Sequence, residues 1–169
     1  MSWPVLVFDI ESIPDIDGLR ALRDTAPDAS DEQVYAAWLA ERKEKGQSDF
    51  MPLHLQRVLV ISCVFRNAEG LRIHSFVDRD GQSEGKVIQT FFNTLAKHVP
   101  QLVSWNGGGF DLPVLHYRGL NNGVVSDKDW DLGGEDRKVN RKNNINPHHI
   151  RQTTRTDVLA TVTAQTTTH

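Results

Sequence analysis

The stretch VLVFDIES, residues 5–12, decides how the rest of the chain is read. Its first four residues are apolar, as in a strand buried in a core. Residues i and i+2 of a strand share a face, so Asp9 and Glu11 stand together where the apolar run ends. Two carboxylates held that close repel each other unless a positive charge lies between them. The stretch therefore predicts an opening strand over residues 4–10 that offers a pair of acids to a cation.

A second acid site lies in SWNGGGFD, residues 104–111. A short strand over residues 100–106 runs into three glycines, which let the backbone turn tightly, and Asp111 falls at the start of a helix. Pro113 suits the first turn of that helix, which runs on to the Asn-Asn-Gly turn at residues 121–123. Functional groups of α/β sheets gather at the carboxyl ends of strands. If the two strands are neighbours, Asp9, Glu11 and Asp111 converge. Three oxygen donors without a His or Cys cluster suit Mg²⁺ or Mn²⁺ rather than zinc. A pair of such ions is a general device for phosphodiester hydrolysis.

The chain between the two acid sites supplies a scaffold. Residues 16–56 read as a helical insert, with Ser30 and Gln33 as a capping box and Val34, Trp38 and Leu39 as the apolar face of the helix that follows. Residues 57–66 and 71–78 form a predicted hairpin around a turn at Asn67–Gly70. Val87, Ile88, Phe91, Phe92 and Leu95 recur at helical spacing, and Ser83 is a candidate cap for that helix. The order strand, insert, strand, strand, helix, strand, helix predicts an α/β fold. Its sheet mixes an antiparallel hairpin with a parallel crossover and is flanked by helices.

The 169 residues suffice for one domain with a sizeable core. Cys63 is the only cysteine and sits in an apolar run, which excludes an internal disulfide and predicts an inert buried thiol in a reducing compartment. No signal peptide or membrane span is visible, so a cytoplasmic protein with no membrane partner is expected. The net charge of −3 gives no global footprint for nucleic acid. Residues 137–155 nevertheless carry Arg137, Lys138, Arg141, Lys142, Arg151 and Arg155 without an acid, either a solvated basic segment or a phosphate-binding one. Beyond residue 121 the sequence turns polar, basic and then Thr-rich, and residues 122–169 are expected to be poorly ordered or divergent.

FDIES and NGGGFD, in this order and about a hundred residues apart, resemble the first two motifs of the DEDD superfamily of 3′–5′ exonucleases, which have a ribonuclease-H-like fold. With RVLVISCVFR and SWNGGGFDLPVLHYR, the chain over residues 4–121 is similar to a bacterial group of predicted exonucleases that resembles the proofreading domain of family B DNA polymerases. The resemblance implies a metal-dependent 3′–5′ exonuclease that hydrolyses terminal phosphodiesters of DNA with two ions, Mg²⁺ or Mn²⁺, and takes a single-stranded 3′ end. Asp9, Glu11 and Asp111 would be the catalytic metal ligands, Asn106 would support the site or touch the strand, Ile10 and Ser12 would line the groove where the 3′ nucleotide enters, and Phe110 would either pack or wedge against the terminal base. Trp105 is expected to pack in the core.

The family's third motif is Tyr-x-x-x-Asp, or a His with a following Asp. Neither Tyr35 nor Tyr117 is followed by an acid four positions on, and no His has the alternative spacing. Asp157, in TDVLA, resembles instead the start of the helix that precedes that motif. The expectation is a fold incomplete at its C-terminal end and a slow or inactive chain. The alternative is a non-catalytic module for single-stranded nucleic acid that keeps the groove without the chemistry.

Overall fold

The computed structural model describes residues 4–23 and 25–125, together with the backbone of 150–153. The element order is β1 (Val5–Pro14), α1 (Ile16–Leu22), α2 (Asp31–Glu44), a 3₁₀ turn (Leu53–Leu55), β2 (Gln56–Asn67), β3 (Gly70–Val77), α3 (Glu84–His98), β4 (Gln101–Trp105), α4 (Asp111–Asn121) and β5 (Ile150–Thr153). The strands form one sheet in the order β3-β2-β1-β4-β5. Strand β1 is antiparallel to β2 and parallel to β4, and β5 is parallel to β4. This is the mixed α/β sheet with flanking helices that the sequence predicts.

Strand β1 runs four residues beyond the predicted end at Ile10, and its register against β2 shifts between Glu11 and Ser12. Asp9 and Glu11 therefore lie inside a paired strand, just before a bulge, rather than at its tip. Bulges bend a strand and re-aim its side chains. The insert is two helices rather than one. They close over a satellite core of Leu19, Val34, Trp38, Met51 and Leu55, and Leu39 packs against its edge. The Ser30–Gln33 capping box is formed, with the Ser30 hydroxyl accepting from the Gln33 N–H and the Gln33 side chain from the Ser30 N–H. Ser83 stands at the N-cap of α3, but its hydroxyl donates to Asp78 at 2.6 Å instead of capping the helix.

The main core lies on one side of the sheet. Leu6, Phe8, Ile10, Val58, Ile61, Cys63 and Leu102 face Val87, Ile88, Phe91, Phe92 and Leu95 of α3 and Leu112, Val114 and Leu115 of α4. Burial pushes the Cys63 thiol up to about 12, so it stays protonated. Within residues 122–169 the described parts are 122–125, which close the end of α4, and β5, which extends the sheet at the β4 edge. The other expectations for that region, including the basic segment's role and Asp157, lie outside the described residues.

Candidate active site

Strands β1 and β4 are adjacent and parallel, with Val5, Leu6 and Val7 opposite Gln101, Leu102 and Val103. Their carboxyl ends therefore point the same way, which brings Asp9 to the loop that follows β4. That loop folds through specific crowding. Asn106 takes the left-handed conformation (φ 55°) that asparagine tolerates better than other non-glycine residues. Its carbonyl accepts from the N–H groups of Gly109 and Phe110, both at 2.9 Å. A Cβ on Gly107 would lie 1.7 Å from the Ser104 Oγ, and one on Gly109 would lie 2.4 Å from the Asn106 Oδ1. Both positions are crowded, Gly107 by the buried Ser104 and Gly109 by the Asn106 side chain, whereas the positive φ falls on Asn106.

The turn delivers Asp111 to the first turn of α4, only 2% exposed. Its carboxyl is raised from 3.8 to about 6, first by burial and then by the negative charge of Asp9 beside it. Its own backbone N–H and that of Ile10 pull the other way, favouring the charged form without prevailing. A buried acid facing a second acid lacks positive charge, and a cation would supply it.

Asp9, Trp105, Asn106, Gly109, Phe110 and Asp111 line one open cleft of about 380 Å³, together with Phe50 from the connection between α2 and the 3₁₀ turn. Asp9 and Asp111 are thus brought together. Glu11 is exposed on the same face of β1 but does not join them: among the described residues no three His, Cys, Asp or Glu side chains are close enough to share an ion. Ile10 and Ser12 do not meet the expectation that they line the groove. Ile10 points to the opposite face and is buried in the core, as strand alternation requires. Ser12, beyond the bulge, donates to Gln56 at 2.9 Å. Trp105 corrects the expectation of core packing, since it is 50% exposed. It lies an even number of positions from Val103, on the face away from α3 and α4.

Two features escaped the sequence. One is Phe50, whose ring meets Phe110 edge-on at 5.9 Å between centroids. The other is a buried ionic cluster behind the site. Arg118 donates to both oxygens of Glu84, at 2.8 and 2.7 Å, to Asp15 just after β1, and to the His54 carbonyl at 3.0 Å. Glu84 also accepts from the Val58 N–H at 2.8 Å. The cluster ties α4, which carries Asp111, to the end of β1, which carries Asp9. The available signal was an arginine on the apolar stripe of α4, three and four positions after Leu115 and Val114, where a charge needs buried partners.

Residues 48–169 match the family of predicted 3′–5′ exonucleases related to the exonuclease domain of PolB. The chain belongs to that family. The matched region contains Asn106, Phe110 and Asp111 and begins after Asp9 and Glu11. Among solved structures, the chain is similar to a family B DNA polymerase from the hyperthermophilic archaeon Pyrobaculum calidifontis, with a TM-score of 0.42 and 22% identity. That match covers 73% of this chain and 12% of the polymerase. No curated protein matches.

Proposed function

We propose that this exonuclease-like domain hydrolyses the terminal phosphodiester at the 3′ end of single-stranded DNA, with Mg²⁺ or Mn²⁺ held by Asp9 and Asp111. The observation that carries the proposal is the Asp111 carboxyl, buried against Asp9 at the floor of an open cleft and raised to about 6. The donor set fits hard divalent ions, because both groups are carboxylates and the buried one gains most from a neighbouring positive charge. Glu11, exposed on the face shared with Asp9, is the nearest further acid along β1. When bound, such ions activate water and stabilise the leaving oxygen.

The chain's own residues hold and orient. Asn106, exposed at the lip of the cleft, offers its side-chain amide to the phosphate or sugar of the terminal nucleotide. Gly107 and Gly109 let the loop fold closely against Ser104 and Asn106, which sets Asp111 at the cleft. The absence of a three-acid group among the described residues favours one other reading, a module that binds single strands without cutting them.

DNA labelled at its 5′ end separates the two. The expected outcome is slow shortening to a ladder that needs Mg²⁺ or Mn²⁺, stops when the 3′ hydroxyl is blocked, and falls by about 10²-fold or more in Asp111→Asn. Cleavage that survives this substitution would place the chemistry elsewhere. Binding without any cleavage would make the chain a binding module.

A further inference from the structure

Arg118 is a charged residue in a place where an apolar one would cost less. Taking ions out of water is expensive, and a well-packed apolar group of similar volume often serves stability as well or better. Yet Arg118 is only 5% exposed, seven residues after Asp111 on α4. Seven residues make almost two full turns, so both side chains leave the helix on the same side, about 10 Å apart along its axis.

Every arm of the guanidinium is in use. Nε and Nη2 grip the two oxygens of Glu84, the first residue of α3, while Nη1 donates to Asp15 and to the His54 carbonyl. Asp15 directly follows β1, and its other carboxylate oxygen accepts from the Gly18 N–H at 3.1 Å to start α1. Glu84 accepts in turn from the Val58 N–H. Val58 stands opposite Ser12, where the pairing of β1 with β2 skips Leu59. The cluster thus grips both strands at the bulge that follows Asp9 and Glu11. Two turns away along α4, the Asp111 carboxylate accepts from the Ile10 N–H. The helix is therefore attached to β1 at two points, Asp111 at Ile10 and Arg118 at Asp15. A helix held at one point can pivot; one held at two cannot.

The geometry points to Arg118 as a positioning residue: by clamping α4 to the bulged end of β1, it sets the gap in which Asp9 and Asp111 hold a divalent ion. This rests on the metal reading of that pair. It adds the residues that fix the pair's spacing, none of which lines the cleft. The sign of the effect separates positioning from simple charge. A guanidinium repels a metal ion, so by charge alone its removal would tighten metal binding. If Arg118 positions the acids, its removal weakens binding instead.

The test compares the full chain with Arg118→Met, Asp15→Asn and, as a control for lost stability, Val34→Ala in the satellite core. Mn²⁺ affinity is read by calorimetry, and the exchange of the Ile10 amide by NMR without metal. Arg118→Met should weaken Mn²⁺ binding by about tenfold to a hundredfold, as loss of a group that orients a metal ligand typically does. Asp15→Asn, which keeps the α1 cap and the Arg118–Glu84 pair, should weaken it less. In both variants the Ile10 amide should exchange faster, while the Phe91 amide in α3 keeps its protection. Val34→Ala should lose stability and bind Mn²⁺ like the native chain. Tighter or unchanged binding in Arg118→Met, an Ile10 amide as protected as in the native chain, or an equal loss of affinity in Val34→Ala would overturn the proposal. If Arg118→Met does not fold, Asp15→Asn decides by the same two readouts. A native chain that binds no Mn²⁺ ends the metal reading alone, and Ile10 exchange still decides whether Arg118 fixes Asp111 against β1.

Discussion

On one side of β1, Leu6, Phe8 and Ile10 disappear beneath α3 and α4; on the other, Val7, Asp9 and Glu11 alternate with them and stay exposed. The two faces share a backbone and differ in what they do. On the exposed face, Ile73, Val64, Val7 and Val103 form an apolar row across four strands. Ser75, Ser62 and Asp9 form the next row, with the two serine hydroxyls 3.2 Å apart. Among the described residues both helices that pack on the sheet lie on the other side. One face stabilises this domain and the other carries Asp9, one of the two acids of the candidate site. The two meet at Asp111, a site residue placed from the covered side by α4.

That division can be broken most directly at Phe91, fully buried between Phe8, Phe76 and Phe92. Phe91→Ala should cost about 3–5 kcal/mol in urea unfolding. A loss below about 1 kcal/mol would mean that the covered face is not the core.

Asp111, at the junction, should make stability depend on pH. Its carboxyl is raised from 3.8 unfolded to about 6 folded, so the folded state holds its proton more tightly. Stability from this group is complete below about pH 4 and lost as pH rises through about 6. Unfolding in the absence of divalent ions should show that decline, and Asp111→Asn should abolish it. The size is at most about 3 kcal/mol, less where water in the open cleft screens the carboxylate. A profile identical in both proteins would show that Asp111 is not held as described.

Gly107→Ala tests the turn that joins the faces. A Cβ there would strike the Ser104 Oγ and come within 4.0 Å of the Asp111 carboxylate. The expected cost is about 1–3 kcal/mol of overpacking, together with a change in the Asp111 titration measured by NMR. An unperturbed Asp111 would show that the turn does not fix its position.

The smallest effect belongs to the exposed face. Ile73 is 75% exposed on the edge strand, and Ile73→Thr should shift stability by no more than about 0.5 kcal/mol. A larger loss would reveal that this face is covered by residues outside those described.

Much of this was legible in the residues. The helical spacing of Val87 to Leu95 named the buried face of α3, and all five positions are buried. The hairpin and the start of α4 fall within a residue of their predicted bounds, because Asn67–Gly70 and Asp111–Pro113 are strong local signals. Strand alternation also contained the correct answer for Ile10, which must oppose Asp9 and Glu11. Trp105 was misjudged because apolar character says nothing about whether a second layer covers a strand. Phe50 and the Arg118–Glu84–Asp15 cluster were invisible because they are tertiary. Phe50 meets Phe110 across 60 positions, and Arg118 meets Asp15 across 103.

The proposed site depends above all on the pairing of Asp9 with Asp111, and calorimetric titration with Mn²⁺ at about pH 6 tests it. Bound at that pair, the ion should displace the proton that Asp111 holds there, visible as a binding heat that changes with the ionisation enthalpy of the buffer. Weak binding with proton release is expected in the native chain, and neither in Asp9→Ala nor in Asp111→Asn. Binding that is unchanged in both variants, or that releases no proton, would contradict it.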